Sequence, residues 1–137
     1  MEHPHAELTR QMTAAIVSAD LHAMRQVFAP DVVWHVGGRG PLAADHRGFD
    51  AVVGMFARMY DMAEGTLSYD VHDVLANDEH TVALLTMRAN FADRDIEDKV
   101  VHVCHVRDGR ISEVWAFTWA QRALDDAMIE VNVRAGR

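Results

Sequence analysis

The 137-residue chain has a single cysteine, three prolines and two tyrosines. Cys104 alone cannot close an internal disulfide, so the fold must rest on its core, and a reducing compartment, the cytoplasm, is expected. No apolar run reaches the roughly 18 residues of a membrane-spanning helix. The opening MEHPHAELTR has neither the basic start nor the apolar stretch of a secretory signal. Basic residues are outnumbered 13 to 21, for a net charge of −8. No run of Lys or Arg reverses this locally, which argues against nucleic acid or an anionic membrane as a partner. There is no glycine-rich phosphate loop, so no organic cofactor is implied. The chain has nine histidines. Those at 35, 46, 72, 80, 102 and 105 show no metal-binding spacing such as His-Glu-x-x-His, and no metal site is expected.

Half of the residues are hydrophobic, enough for one domain over 1–137 with one core. Leu8, Met12, Ala15 and Ile16 recur at helical spacing within a helix from Glu7 to Ser18. Asp20 is an N-cap for a second helix, Leu21 to Phe28, which Pro30 ends. Val32 to Val36 reads as a strand, followed by a Gly/Pro loop to about Gly48. A third helix runs from Asp50 to Met62 with Val52, Val53, Phe56, Met59 and Tyr60 on one side. Strands are then predicted at Leu67–Leu75, Thr81–Phe91, Val100–Arg107 and Ile111–Thr118, joined by turns at Asn77-Asp78, Ala92 to Asp95 and Asp108-Gly109. A short helix from Gln121 to Met128 and a polar tail complete the chain. This order predicts an α+β fold in which a curved antiparallel sheet wraps around helices and leaves a pocket at its open end.

Three segments carry a family resemblance: FAPDVVWHVGGRGPLAADHRGFDAVVGMF (28–56), YDVHDVLANDEHTVALL (69–85) and VHVCHVRDGRISEVWAF (101–117). In this order they resemble the SnoaL-like members of the nuclear transport factor 2 superfamily, which includes the ketosteroid isomerases and polyketide cyclases. The resemblance implies a cone-shaped α+β barrel and acid–base chemistry on an apolar substrate. It places His35 at the isomerases' general base, Met12 near their oxyanion-hole tyrosine and Cys104 at their oxyanion-hole acid. The cyclases' His-Trp-Asp run corresponds to Val114-Trp115-Ala116. Methionine cannot donate a hydrogen bond and a thiol donates weakly, so steroid isomerisation is rejected. One fold serves many chemistries.

Strand alternation assigns faces. The resemblance puts His35 and Val33 inside and Trp34 and Val36 outside. Cys104, His102 and Val106 share the inner face, and His105 points out. A two-residue turn at Asp108-Gly109 would pair Arg107 with Arg110 and bring Glu113, Trp115 and Phe117 inside. A three-residue turn with Gly109 in a bulge would instead bring Ser112, Val114, Ala116 and Thr118 inside, in agreement with the family's inward acid. Trp115, Phe117 and Trp119 would then form an outer stripe that a homodimer could cover. Arg39 and Arg47 are expected to pair with Asp45 or Asp50, and the facing of Arg88 is open. Two functions follow. One is a cofactor-independent isomerase, cyclase or hydrolase, with His35 as base or acid assisted by His102. Met12, Phe56, Tyr60, Cys104, Val114, Ala116 and Thr118 would contact a small apolar substrate. The other is a non-catalytic ligand-binding or dimerisation module.

Overall fold

A computed structural model describes residues 2–137. The elements are α1 (Pro4–Ser18), α2 (Leu21–Val27), β1 (Phe28–Val36), β2 (Ala44–Arg47), α3 (Phe49–Met62), β3 (Ser68–Ala76), β4 (His80–Phe91), β5 (Arg94–Arg107), β6 (Arg110–Thr118) and α4 (Gln121–Arg134). Six strands form one sheet in the order β2-β1-β6-β5-β4-β3. Its pairs are antiparallel except β1 with β6, which run parallel. The expected all-antiparallel sheet is therefore mixed, because the chain crosses from β1 through α3 and the β3–β5 meander before β6 returns beside it.

Sheet parity decides what fills the cone. On β1, Val32 and Trp34 are buried at 0% and 2% exposure. Trp34 meets Phe56 of α3 and His102 of β5 edge to face, each at 4.9 Å between ring centroids. Edge-to-face rings at this spacing add attraction beyond their buried area. The structure reverses the expected facing: Trp34 looks inward and His35 outward. A two-residue period allows only one of the two sets inside, and the larger apolar set, Val32 and Trp34, takes the core.

The last hairpin combines the two readings considered above. Asp108 and Gly109 have φ of 52° and 75°, and Arg107 pairs with Arg110 across a two-residue turn. Asp-Gly with both φ positive suits the right-handed twist of a hairpin. Farther along, Val106 faces Ile111 while His105 faces Glu113, so Ser112 is an extra residue. This bulge shifts the register by one. Cys104 thus pairs with Val114 and His102 with Ala116, and Trp115, Phe117 and Trp119 fall outside as expected, although the bulge and not the turn puts them there. Ala92 and Asp93, with φ of 51° and 64°, make the β4–β5 turn.

The largest departures from the expected element bounds fall in β1, β2, β5 and α4. Pro30 lies within β1, exposed, at the point where β1 and β6 lose register, so its missing N–H leaves no ladder bond unmade. β2 forms in the expected Gly/Pro loop. β5 begins at Arg94, and α4 runs on to Arg134. Arg88 faces out, bonded to Asp70 and, at 2.8 Å, to Glu97. Arg47 lies 3.6 Å from Asp45, whereas Arg39 contributes its backbone N–H, to Asp125. Among the described residues no helix is long and apolar enough to cross a membrane.

Helix α1 packs against β3, β4 and α2. Ala19, at φ 53°, ends it in a left-handed cap, and His5 reaches the Asn77 carbonyl at 3.1 Å. Inside, the Thr9 and Thr81 hydroxyls, both fully buried, bond each other at 2.7 Å. Removing either partner strands a buried hydroxyl, at about 1–3 kcal/mol. Thr9→Val and Thr81→Val should each lower stability by that order in urea unfolding, and the double variant should cost clearly less than the sum.

Candidate functional site

The wide end of the cone holds a cavity of about 50 Å³. That is room for a few waters, and small against the roughly 300–1,000 Å³ of typical ligand pockets. Trp34, Phe56 and Tyr69 supply aromatic wall, and Met59, Met87 and Met128 supply adaptable wall. The polar lining is His102, Thr118, Gln121 and Asp125. Helix α4 covers the mouth. It is seated by Asp98, whose carboxylate accepts from the Ala120 N–H at 2.9 Å.

His102 is 2% exposed, and its Nδ1 has no hydrogen-bond partner among the described residues. Burial pushes its pKa down to about 4, so the ring is neutral at physiological pH. Trp34 and Tyr69 hold it edge-on from two sides. The Tyr69 phenol is raised by its burial and points at Met59 Sδ, 3.9 Å away. An unpartnered buried ring nitrogen costs folding free energy and calls for a reason.

Asp125 faces the same cavity at 7% exposure. One carboxylate oxygen accepts from the Arg39 N–H at 2.8 Å and the other from the Gln121 side-chain amide at 2.8 Å. The Gly38–Gly40 turn is folded around it. A Cβ on Gly38 would lie 2.6 Å from one carboxylate oxygen, and Gly38 has φ 83°. Gln121, Leu124, Asp125 and Met128 share the cavity-facing side of α4. That spacing was visible in the sequence. An aspartate among apolar positions of a helix face was the signal that could have singled it out.

Of the anticipated contact residues, Phe56, Ala116 and Thr118 line the cavity, together with His102, the expected catalytic assistant. Met12, Cys104 and Val114 lie in the core at 0% exposure, and Tyr60 is partly buried against it. Burial pushes the Cys104 thiol up to about 12, against a smaller opposing effect of Thr81. It is therefore an inert core thiol, not a nucleophile.

His35, expected inside as base, stands on the outer face. Its Nδ1 lies 2.6 Å from Asp45 and its Nε2 2.6 Å from Glu113. Two carboxylate partners require both ring nitrogens to donate, which makes the ring an imidazolium. The Asp45 bond, then that to Glu113, raises its pKa against some desolvation, and His35 in turn lowers that of Asp45. The ring stacks on Trp115 at 5.4 Å. A group locked between two acceptors has no free lone pair to act as base toward the cone. Among the described residues no three His, Cys, Asp or Glu side chains converge on a metal position.

A curved sheet packed on helices around a conical cavity defines the nuclear transport factor 2-like, or cystatin-like, class. The SnoaL-like domain family matches residues 9–114, and the chain belongs to that family. An uncharacterized protein of Mycobacterium tuberculosis is 34% identical over 112 residues, which covers 81% of this chain and 86% of that one. Bal32a, from a soil-derived mobile gene cassette, superposes with a TM-score of 0.86 at 24% identity, over 90% of this chain and 95% of that one. IdmH of Streptomyces antibioticus, a candidate polyketide cyclase, gives 0.72 at 19% identity over 94% and 98%. These likenesses to solved structures establish the fold alone.

The two histidines respond to pH in opposite senses. Between its ordinary 6.5 and about 4, His102 binds a proton only in the unfolded chain, so stability falls as pH drops through that window, by up to about 3 kcal/mol. The raised pKa of His35 contributes stability that is complete below 6.5 and lost as pH rises through its folded value. Ring-proton NMR should show His102 unprotonated down to about pH 5 and His35 titrating above 6.5. A reversed order would overturn both assignments.

Proposed function

We propose that this SnoaL-like protein binds a small, mostly apolar molecule in the cone and moves a proton on it, as an isomerase, cyclase or hydrolase would. His102 replaces His35 as the acting group. The reading is carried by one observation: a neutral, buried imidazole that lines the cavity and has an unpartnered Nδ1. A neutral ring can donate to a developing oxyanion or accept a proton without prior loss of one. The apolar walls would strengthen such a bond by excluding water.

His102→Leu separates function from structure. If the ring is kept for a ligand, replacing it with an apolar side chain of similar size removes an unsatisfied nitrogen. Stability in urea should then stay level or rise by about 1 kcal/mol, while binding of small ketones, alcohols and epoxides, followed by NMR, should be lost. A drop of about 3 kcal/mol with binding intact would instead mark His102 as packing.

We further propose that a second copy covers the outer sheet face. Trp115, Phe117 and Trp119 project from it, the latter two 58% and 88% exposed, beside the outward Val101 and Val103 of β5. Apolar surface of this kind favours burial against a like surface. This is also the specific support for the alternative reading, a non-catalytic dimerisation module. Light scattering should give twice the chain mass. Phe117→Asp, which faces solvent in one copy, should halve it without loss of secondary structure. A monomer at high concentration would refute the dimer.

A further inference from the structure

Asp125 presents an imbalance that the proposed chemistry of His102 does not use. Its carboxylate is 7% exposed and makes no ion pair among the described residues. Its two protein donors are both neutral: the Arg39 backbone N–H and the Gln121 amide. Among the described residues it is the only acidic or basic one lining the cavity besides His102. Buried charges are normally paired, because an uncompensated one forfeits its hydration. A carboxylate offers about four acceptor sites, and two are filled. Two other polar groups of the lining can also accept: His102, through the ring nitrogen that carries its lone pair, and the Thr118 hydroxyl. Three rings, Trp34, Phe56 and Tyr69, line the same space.

We propose, resting on the reading of the cone as a ligand site, that its ligand carries a protonated amine on a small apolar body, with the ammonium paired to Asp125. An ammonium brings three N–H donors and no acceptor, which suits Asp125 and the neighbouring acceptors. It supplies the missing countercharge, and the apolar body occupies the methionine and aromatic walls. The protein's net charge of −8 would favour the approach of a cation and oppose that of an anion. Anions are further excluded by Asp125 itself, with which a carboxylate ligand would share a dry site without a cation between them. The small cavity limits the body to a few carbons unless α4 shifts.

The test is a charge series of equal shape: isobutylamine, isobutanol and isobutyrate, titrated at pH 7 into the full chain and followed by backbone amide and His102 ring shifts. The amine should bind at least tenfold more tightly than the alcohol, and isobutyrate not at all. In Asp125→Asn, which keeps shape and one acceptor, the preference for amine over alcohol should collapse to within about threefold. Asp125→Glu keeps the charge and should retain amine selectivity, and the wild-type series decides alone if neither variant folds. Alcohol binding as well as amine overturns the cation assignment while the cone remains a ligand site. Shifts from none of the three, at concentrations up to saturation of solubility, overturn both.

Discussion

The seat of Trp34 against Phe56 and His102 is the contact on which the rest of the molecule depends. It joins β1, α3 and β5 at one point, and it fixes the parity of β1. With Trp34 inward, Val36 follows it toward the cavity mouth, and His35 is forced to the outer face beside Asp45 and Glu113. The same ring forms one wall of the cavity. Burial of so large an aromatic, with edge-to-face contacts on two sides, outweighs what any single polar residue of β1 could gain by facing in.

His102 pays for that arrangement. It is clamped between Trp34 and Tyr69, desolvated and left with an unpartnered nitrogen. The outer face of the sheet treats its histidine in the opposite way: His35 receives two carboxylates and holds its proton. One residue type is thus driven neutral inside the cone and cationic outside it by burial and charge alone. A neutral ring can exchange donor and acceptor roles with a ligand, whereas an imidazolium locked between two carboxylates is a structural tie between β2, β1 and β6.

The fold was legible because its signals are local and repeated: helical spacing in α1 and α3, apolar alternation in β4 and β5, and Asp-Gly at the last turn. The family resemblance gave their order. The site was less legible. Resemblance aligned His35 with an inward base, yet facing is set by the residues that compete for the core, and Trp34 wins. The bulge at Ser112 left no mark in the sequence, because an extra residue in a strand looks like any other until its partner strand is known. It nevertheless determines that Ala116 and Thr118 look inward. Asp125 was missed for a different reason. It lies on a helix outside every segment that carried the resemblance, and its significance comes from the Gly38–Gly40 turn, some 86 residues away along the chain, folding onto it.

That long-range contact also explains why a cone can keep a family's shape while relocating its polar chemistry. At the position of the cyclases' acid stands Ala116, a small residue that opens the wall. The carboxylate enters from α4, across the mouth. An acid on a strand is held rigidly by the sheet. An acid on a covering helix is held by that helix's own attachments: the Asp98 bond at its start, and the glycine turn that grips Asp125. Anything that draws α4 outward to admit a ligand must strain the Arg39 N–H bond and loosen the carboxylate from the turn. The carboxylate of the cavity and the closure of its mouth are therefore one mechanical unit, and a ligand of the proposed kind, by satisfying Asp125 from inside, would stabilise the closed cone.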